Sequence, residues 1–352
     1  MGTGIEVKGP FKYFGSVAAV NDVSFSVRER EFYSLLGPSG CGKTTTLRCI
    51  AGLEQLSKGS ISIGDRLMSS ATEGISIPPE KRGIGMVFQN YAVWPHMNVE
   101  QNISYPLRIA KMPAEKLKDR VGEVMDMLKL TGLGKRYPSE LSGGQQQRVA
   151  LGRALSIKPS VMLLDEPLSN LDAKLREQMR FELKDLQRST GIAILYVTHD
   201  QVEAMAMSDR VAVMKDGVII QEGKPLDIYK NPNGKFVADF IGTTNFVECS
   251  VVGSRDGRTE VVLQSGLRLW VPEPTDLRGD CTLALRPEDI ELSPDGTDGP
   301  EGEIEVGIFL GNVIDYRIRM GDAKLRVQST VATMFRPGDK VRISVSRAVL
   351  FN

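Results

Sequence analysis

Residues 37–45 read Gly-Pro-Ser-Gly-Cys-Gly-Lys-Thr-Thr, and no other stretch of this 352-residue chain restricts its fold so strongly. The spacing fits G-x-x-x-x-G-K-[ST], a loop that wraps the phosphates of a nucleotide. Gly37, Gly40 and Gly42 open backbone turns that a Cβ would close, so that successive N–H groups can point at phosphate oxygens. Pro38, Ser39 and Cys41 fill the loop between them. Lys43 carries a mobile cation to the β- and γ-phosphates, Thr44 offers its hydroxyl to Mg²⁺, and Thr45 continues into the next element. The apolar run Phe32-Tyr33-Ser34-Leu35-Leu36 predicts a buried strand entering the loop, and residues 45–50 predict a helix leaving it with its N-terminal dipole toward the anion.

Length and composition bound the remainder. A chain this long exceeds one core, so two domains are expected. Lys+Arg and Asp+Glu are equal at 44 each, which removes any global basic field for nucleic acid or an anionic membrane. The four cysteines (Cys41, Cys49, Cys249, Cys281) show no C-x-x-C spacing, which suits a reducing compartment and gives neither a disulfide framework nor a zinc site. No apolar run approaches 18 residues, so the expectation is a soluble chain that stays where it is made and meets a membrane only through partners.

The organisation changes partway along. From about 17 to 240, apolar strand-like runs alternate with helical patterns, as in an α/β sheet. The unbroken runs 161–164 and 192–197 predict strands buried on both faces. Between them Leu175, Met179, Leu183 and Leu186 recur at helical spacing, and Leu117, Val121, Val124, Met125 and Leu128 mark a second helix over about 113–130. From about 243 the pattern becomes short strands separated by Gly, Pro and Asp turns, predicting one or two small all-β barrels.

Further residues point at the same phosphates. Asp165 and Glu166 follow the 161–164 strand and so stand at its carboxyl end, where open α/β sheets bind ligands. Asp165 is placed to hold Mg²⁺, and Glu166 to take a proton from an attacking water; an acidic helix cap is the alternative for the pair. His199, one of two histidines, ends the next buried strand. Strands ending at Gly37, Asp165 and His199 would converge on one edge. Leu141-Ser142-Gly143-Gly144-Gln145 opens a helix and makes a second anion-binding helix N-terminus. One nucleotide does not need two cradles from one chain, so Ser142 and the Gly143 and Gly144 amides are expected to face a γ-phosphate held by another copy.

These elements, in this order and over about 230 residues, resemble the ATP-binding cassette ATPases of ABC transporters. The resemblance matches Gly37–Thr44 to the Walker A loop, Gln89 to the Q-loop, Leu141–Gln145 to the signature, and Val161–Glu166 to Walker B and its base. Ser169-Asn170-Leu171-Asp172 matches the D-loop at the dimer contact, and His199 the switch histidine. It implies ATP and Mg²⁺ as cofactors, with Thr44, Gln89 and Asp165 around the metal and Ser142, Gly143, Gly144 and Gln145 reaching ATP in trans. Phe14 is the implied adenine-stacking ring, with adjacent Tyr13 as its rival. The segment Phe236–Gly242 and the β-rich run around Leu285-Arg286-Pro287-Glu288 resemble importer ATPases of the maltose, polyamine and iron(III) type.

The resemblance therefore implies a P-loop α/β cassette over residues 1–242, with a helical subdomain over about 90–160, then an all-β OB-like regulatory domain over 243–352. It also implies a homodimer that energises solute import through two integral membrane permease subunits, served indirectly by an extracytoplasmic solute-binding protein, on the cytoplasmic face of the plasma (inner) membrane. Tyr91–Met97 and Phe236–Gly242 lean toward iron(III) or polyamine, with sugar as the alternative. Tyr91–Met97 is rich in apolar residues for a loop, and it reads equally as a local core or as a docking groove for a helix of the permease. Residues 243–352 carry 13 Lys and Arg against 17 Asp and Glu, a net of −4 that ill suits a nucleic-acid groove. Two rivals remain: a soluble ABC ATPase acting on nucleic acid or ribosomes, and a small-molecule phosphotransferase. The first would be expected to carry a coiled-coil insert or tandem cassettes, and the second leaves Ser142–Gln145 and His199 unused.

Overall fold

The computed structural model describes residues 3–272, 275–294, 299–331 and 333–352. The chain forms two compact units, Met1–Leu226 and Asp227–Asn352.

The first unit is built on two six-stranded sheets. One is antiparallel and runs, edge to edge, through Val17–Asn21, Thr3–Phe14, Lys58–Ile63, Arg66–Ser70 and Ile75–Ser76, with Phe25–Arg28 also paired to Thr3–Phe14. This sheet was not read from the sequence. Its strands are only partly buried and rich in Ser and Lys, although Lys58–Ile63 does alternate in period two, with Ile61 and Ile63 inward.

The other sheet orders Val218–Gly223, Arg210–Lys215, Phe32–Leu36, Ala193–Thr198, Val161–Asp165 and Ile84–Val87. Its central strands pair in parallel and are buried throughout, which explains their unbroken apolar runs. Only the edge strand Val218–Gly223 runs antiparallel. It is joined by the two-residue turn Asp216-Gly217, both with positive φ, whose twist suits a tight hairpin. The predicted helices form at Lys43–Ala51, Ala114–Met127, Gly143–Ser156 and Ala173–Thr190, the last started by an Asp172 side-chain cap and ended at left-handed Gly191. Val99–Ile109 adds a further helix, begun by a capping box of Asn98 and Gln101. It packs with the 114–127 and 143–156 helices around Ile103, Val124, Val149 and Leu151.

The second unit contains two antiparallel five-stranded sheets around one core that includes Val261, Leu283, Tyr316, Ile318 and Ile343. Its break from the first unit falls earlier than the 242/243 boundary expected from sequence. Arg286 is the physical reason: its guanidinium donates to the Ala238 carbonyl (2.9 Å) and to Thr244 Oγ1 (2.6 Å), and lies 4.4 Å from the Tyr229 ring centroid. That buried cation fastens residues 229–244 to the β-rich core, although their short helices read as a continuation of the α/β part. No helix among the described residues is long and apolar enough to cross a membrane.

Candidate nucleotide site

Parallel pairing sets Leu36 beside Thr198, Val197 beside Asp165, and Leu164 beside Val87. The carboxyl ends of four adjacent strands therefore share one edge, and Gly37, His199, Asp165 with Glu166, and Gln89 stand at or just past those ends. Gly37, Asp165 and His199 meet there as expected from the sequence, and the strand before Gln89 joins them.

At Gly42 the chain enters the Lys43–Ala51 helix with φ 100°, and a Cβ there would stand 2.2 Å from the Ala19 carbonyl oxygen. Only glycine fits. The helix receives no side-chain cap and has no acid in its first turn, so its leading N–H groups are left to an external anion. Lys43 is 4% exposed and donates to the carbonyls of Gly37 (2.8 Å) and Pro38 (2.9 Å), curling its ammonium over its own loop. Ser39 and Gly40 are exposed at the loop tip, and Gly40 turns through φ 81°. Cys41 lies under the loop. Burial pushes its thiol up, against the pull of the Lys43 charge, so it packs as a neutral group.

Thr44 Oγ1 donates to Asp165 Oδ1 at 2.9 Å. Burial raises the Asp165 carboxyl while the Thr44 bond lowers it. A desolvated carboxylate beside a hydroxyl is a pair of hard oxygens whose charge calls for a cation, and the pair fits Mg²⁺, which takes one or two protein oxygens plus phosphate and water. Gln89, the third residue expected at the metal, instead points its amide nitrogen at Glu166 Oε2 (3.2 Å), leaving its carboxamide oxygen outside that bond.

Glu166 has φ 44°, the left-handed region, an unfavourable place for a side chain that bulky. Its N–H still bonds to the Val197 carbonyl at 2.9 Å, so the chain twists immediately after the ladder ends. The result is that one oxygen, Oε2, faces both Gln89 Nε2 and His199 Nδ1, the latter at 3.0 Å. Ser169 Oγ donates to the Glu166 carbonyl (2.9 Å), and Asn170 Nδ2 donates to the Gln89 carbonyl (2.8 Å). Leu171 is buried and Asp172 caps the following helix. The D-loop thus braces both Glu166 and Gln89.

The second glycine-led helix is different. Ser142 and Gln145 form a capping box: Ser142 N–H donates to Gln145 Oε1 (2.9 Å), and Gln145 N–H to Ser142 Oγ (3.4 Å). The Gln145 side chain, expected to reach ATP, is occupied in this box. Ser142 and Gly143 are exposed, and the N–H groups of Gly143 and Gly144 lie outside the box. A Cβ on Gly144 would meet Leu175 at 3.0 Å, and on Gly143 Leu171 at 3.4 Å.

Of the two candidate stacking rings, Tyr13 already stacks on Phe11 (centroids 6.2 Å apart, 16° between planes). Phe14 is 49% exposed with the Lys12 ammonium 4.9 Å from its centroid, and is the freer ring. In the Tyr91–Met97 stretch, Tyr91 is buried, while half-buried Trp94 packs 4.4 Å from Tyr105 and 4.5 Å from the Arg153 guanidinium. Arg153 also donates to the carbonyls of Tyr91 (3.0 Å) and Ala92 (2.6 Å), two consecutive left-handed residues. Sequence reasoning missed this arginine, as it missed Arg176, Asp200 and Glu203 behind His199. Their partners are distant along the chain, and no spacing rule announces such contacts.

The family profile described as ABC transporter matches residues 20–169, and the TOBE domain profile matches 283–351. The trehalose/maltose import ATP-binding protein MalK of Thermococcus litoralis is 45% identical over 99% of this chain and 95% of its own length. The spermidine/putrescine import ATP-binding protein PotA of Rubrobacter xylanophilus is 43% identical over 97% of this chain and 91% of its own. The Fe(3+) ions import ATP-binding protein FbpC 1 of Rhizobium meliloti is 44% identical over 90% and 88%. Among solved structures, the dimeric post-hydrolysis state of the ATP-binding cassette MJ0796 bound to ADP and Pi is 33% identical with a TM-score of 0.54, and the match covers 63% of this chain and 98% of that one.

Proposed function

We propose, on the premise that this chain belongs to the import ATP-binding subunits of ABC transporters, that Glu166 polarises the water attacking the γ-phosphate of ATP and that His199 holds base and phosphate in register. The chain is an ATPase whose hydrolysis is coupled to import, as in its family. The observation that supports the residue roles is the single oxygen Oε2 of Glu166, met by Gln89 and His199 at the edge where the phosphate loop also ends. A base needs its acceptor oxygen held and aimed before substrate arrives, and the left-handed twist at Glu166 does the aiming.

Lys43 would leave its loop carbonyls for the β- and γ-phosphates, joined by the N–H groups of Gly37–Thr45, and together they would offset the charge that develops during transfer. Thr44 and Asp165 would hold Mg²⁺, with the free carboxamide oxygen of Gln89 as a further ligand; the ion would neutralise phosphate charge there. Phe14 would stack on adenine. Ser142, with the Gly143 and Gly144 amides, would complete the site of a second copy in a C2 homodimer whose D-loops (Ser169–Asp172) meet. Gln145 would then act by fixing Ser142 rather than by touching ATP.

The partners of this reading are two integral membrane permease subunits and, through them, a solute-binding protein, with the chain peripheral on the cytoplasmic face of the membrane and no nucleic acid involved. Relatives named for trehalose/maltose, spermidine/putrescine and Fe(3+) import share 45%, 43% and 44% identity with the chain, so identity in this subunit favours none of those solutes. The loop-level lean to iron(III) or polyamine is tested by which solute-binding protein stimulates the assembled importer. The residue roles are tested by Glu166→Gln, which should bind ATP normally while turnover falls by at least ~10². Near-normal turnover would remove Glu166 from the role.

A further inference from the structure

Behind the Glu166–His199 pair lies a cation that none of the site motifs contains. Arg176 sits one turn into the Ala173–Thr190 helix, and its guanidinium spreads between two loops. On one side Nη2 donates to the D-loop carbonyls of Leu171 (3.1 Å) and Ser169 (3.4 Å). On the other, Nη1 donates to Asp200 Oδ2 at 3.3 Å, and Nε lies 3.8 Å from Glu203 Oε1. Asp200 directly follows His199, and its other oxygen caps the Gln201–Met207 helix through the N–H groups of Val202 (2.8 Å) and Glu203 (3.2 Å). Glu203 is buried and accepts from Tyr196 and Thr198, on the strand that ends at His199.

Two segments therefore leave the neighbourhood of Glu166. One is the D-loop, whose Ser169 bonds the Glu166 carbonyl; the other carries His199, whose ring meets the Glu166 carboxylate. The Glu166 main chain joins their bases, its N–H bonding the Val197 carbonyl and its carbonyl accepting from Ser169, and Arg176 adds a second tie further out, between the Leu171 carbonyl and Asp200. His199 is also half exposed, with its side chain 53% accessible, so its own surroundings do little to hold it. Arg176 is the side chain that reaches across, and it matches a planar fork to two carbonyls and a carboxylate. Its Nε has no hydrogen-bond partner among the described residues, only the longer contact with Glu203. A purely structural arginine would be expected to satisfy that group. Here the geometry favours spanning the gap over completing the set.

We infer that Arg176 is a positioning residue for ATP hydrolysis: by tying the Ser169 and Leu171 carbonyls to Asp200 it sets where His199 stands relative to Glu166, and it passes any displacement of the D-loop to His199. The inference rests on the proposed roles of Glu166 and His199. Arg176 touches neither the phosphate loop nor the base, so its loss should spare ATP binding and slow the chemical step.

The test uses the full-length chain. Arg176→Met should lower kcat by about tenfold with the KM for ATP within about twofold, and Arg176→Lys, which can reach Asp200 but not both loops, should recover part of the loss. The chain has two histidines, so a ¹⁵N-histidine NMR spectrum holds two imidazoles, His199 being assigned by its disappearance in His199→Ala. In Arg176→Met the His199 resonances should shift or broaden while those of His96 stay in place. An unmoved His199, or a kcat equal to wild type, overturns the inference, as does a loss confined to thermal stability. If Arg176→Met does not fold, Asp200→Asn, which keeps the helix cap and removes the charge, is read in the same way. Glu166→Gln measured alongside separates the two levels. Normal turnover there sinks the proposed roles, whereas a still His199 signal sinks only the role of Arg176.

Discussion

The two glycine-led helix starts of the first unit, at Gly42 and at Ser142, use the same backbone chemistry and reach opposite ends. At Gly42 the glycine is left-handed, no side chain caps it, and a buried lysine stands first in the helix. At Ser142 the start is exposed and caps itself through Gln145, and residues 142–146 include no lysine or arginine. The first has the backbone form of a phosphate cradle, its Gly42 pressed against the Ala19 carbonyl. The second is closed on itself by its capping box, with Ser142 and Gly143 exposed. A self-capped helix end costs nothing to hold ready, whereas an uncapped one leaves donors unpaired until an anion arrives. The contrast teaches that the same motif class can leave its first turn open or close it with its own side chains, according to what the surrounding fold supplies.

The strongest way to break this comparison is to give each glycine a Cβ. Gly42→Ala places a methyl 2.2 Å from a backbone oxygen at φ 100°, so ATP affinity should fall by at least ~10², corresponding to about 3 kcal/mol of strain and lost contacts. Gly143→Ala meets only the end of Leu171 at 3.4 Å, so a fluorescent ATP analogue should bind within about twofold of wild type. Equal losses in the two variants would erase the distinction. A smaller effect should appear on mixing: Lys43→Ala and Ser142→Arg chains, each inactive alone, should regain roughly a quarter to a half of wild-type turnover together, because a mixed dimer holds one intact composite site. No recovery would mean that the Ser142 end does not serve another copy's nucleotide. The smallest effect belongs to Ser142→Ala, which removes half the capping box. Thermal unfolding should show a loss of about 1 kcal/mol with ATP binding by the monomer unchanged. A drop in the monomer's affinity would mean that the two helix ends are coupled within one chain.

Much of the site was legible before any coordinates. Gly37–Thr44 follows a rigid spacing because its glycines must turn the loop just before Lys43 and Thr44 open the helix, and the runs ending at Leu36, Leu164 and Val197 could be read as buried strands because strands covered on both faces carry few polar residues. Parallel pairing then forces their carboxyl ends together, so the meeting of Gly37, Asp165 and His199 followed from sequence. The all-β character of the second unit was equally plain, since its short strands are cut by Gly and Asp turns. The antiparallel sheet around Lys58–Ile63 was harder, because a half-buried strand carries a diluted alternation.

Sequence alone determined the identity of the groups proposed to face the nucleotide and the order in which the chain presents them, because those depend on residue type and local spacing. Tertiary structure alone decided that Gln89 and His199 share one oxygen of Glu166, that the left-handed twist at Glu166 aims it, that Arg286 draws residues 229–244 into the second unit, and that Arg176 bridges two loops. Each of these depends on distances between segments far apart in the chain. Such distances are set by how sheets stack and helices settle, and a linear pattern holds no record of them.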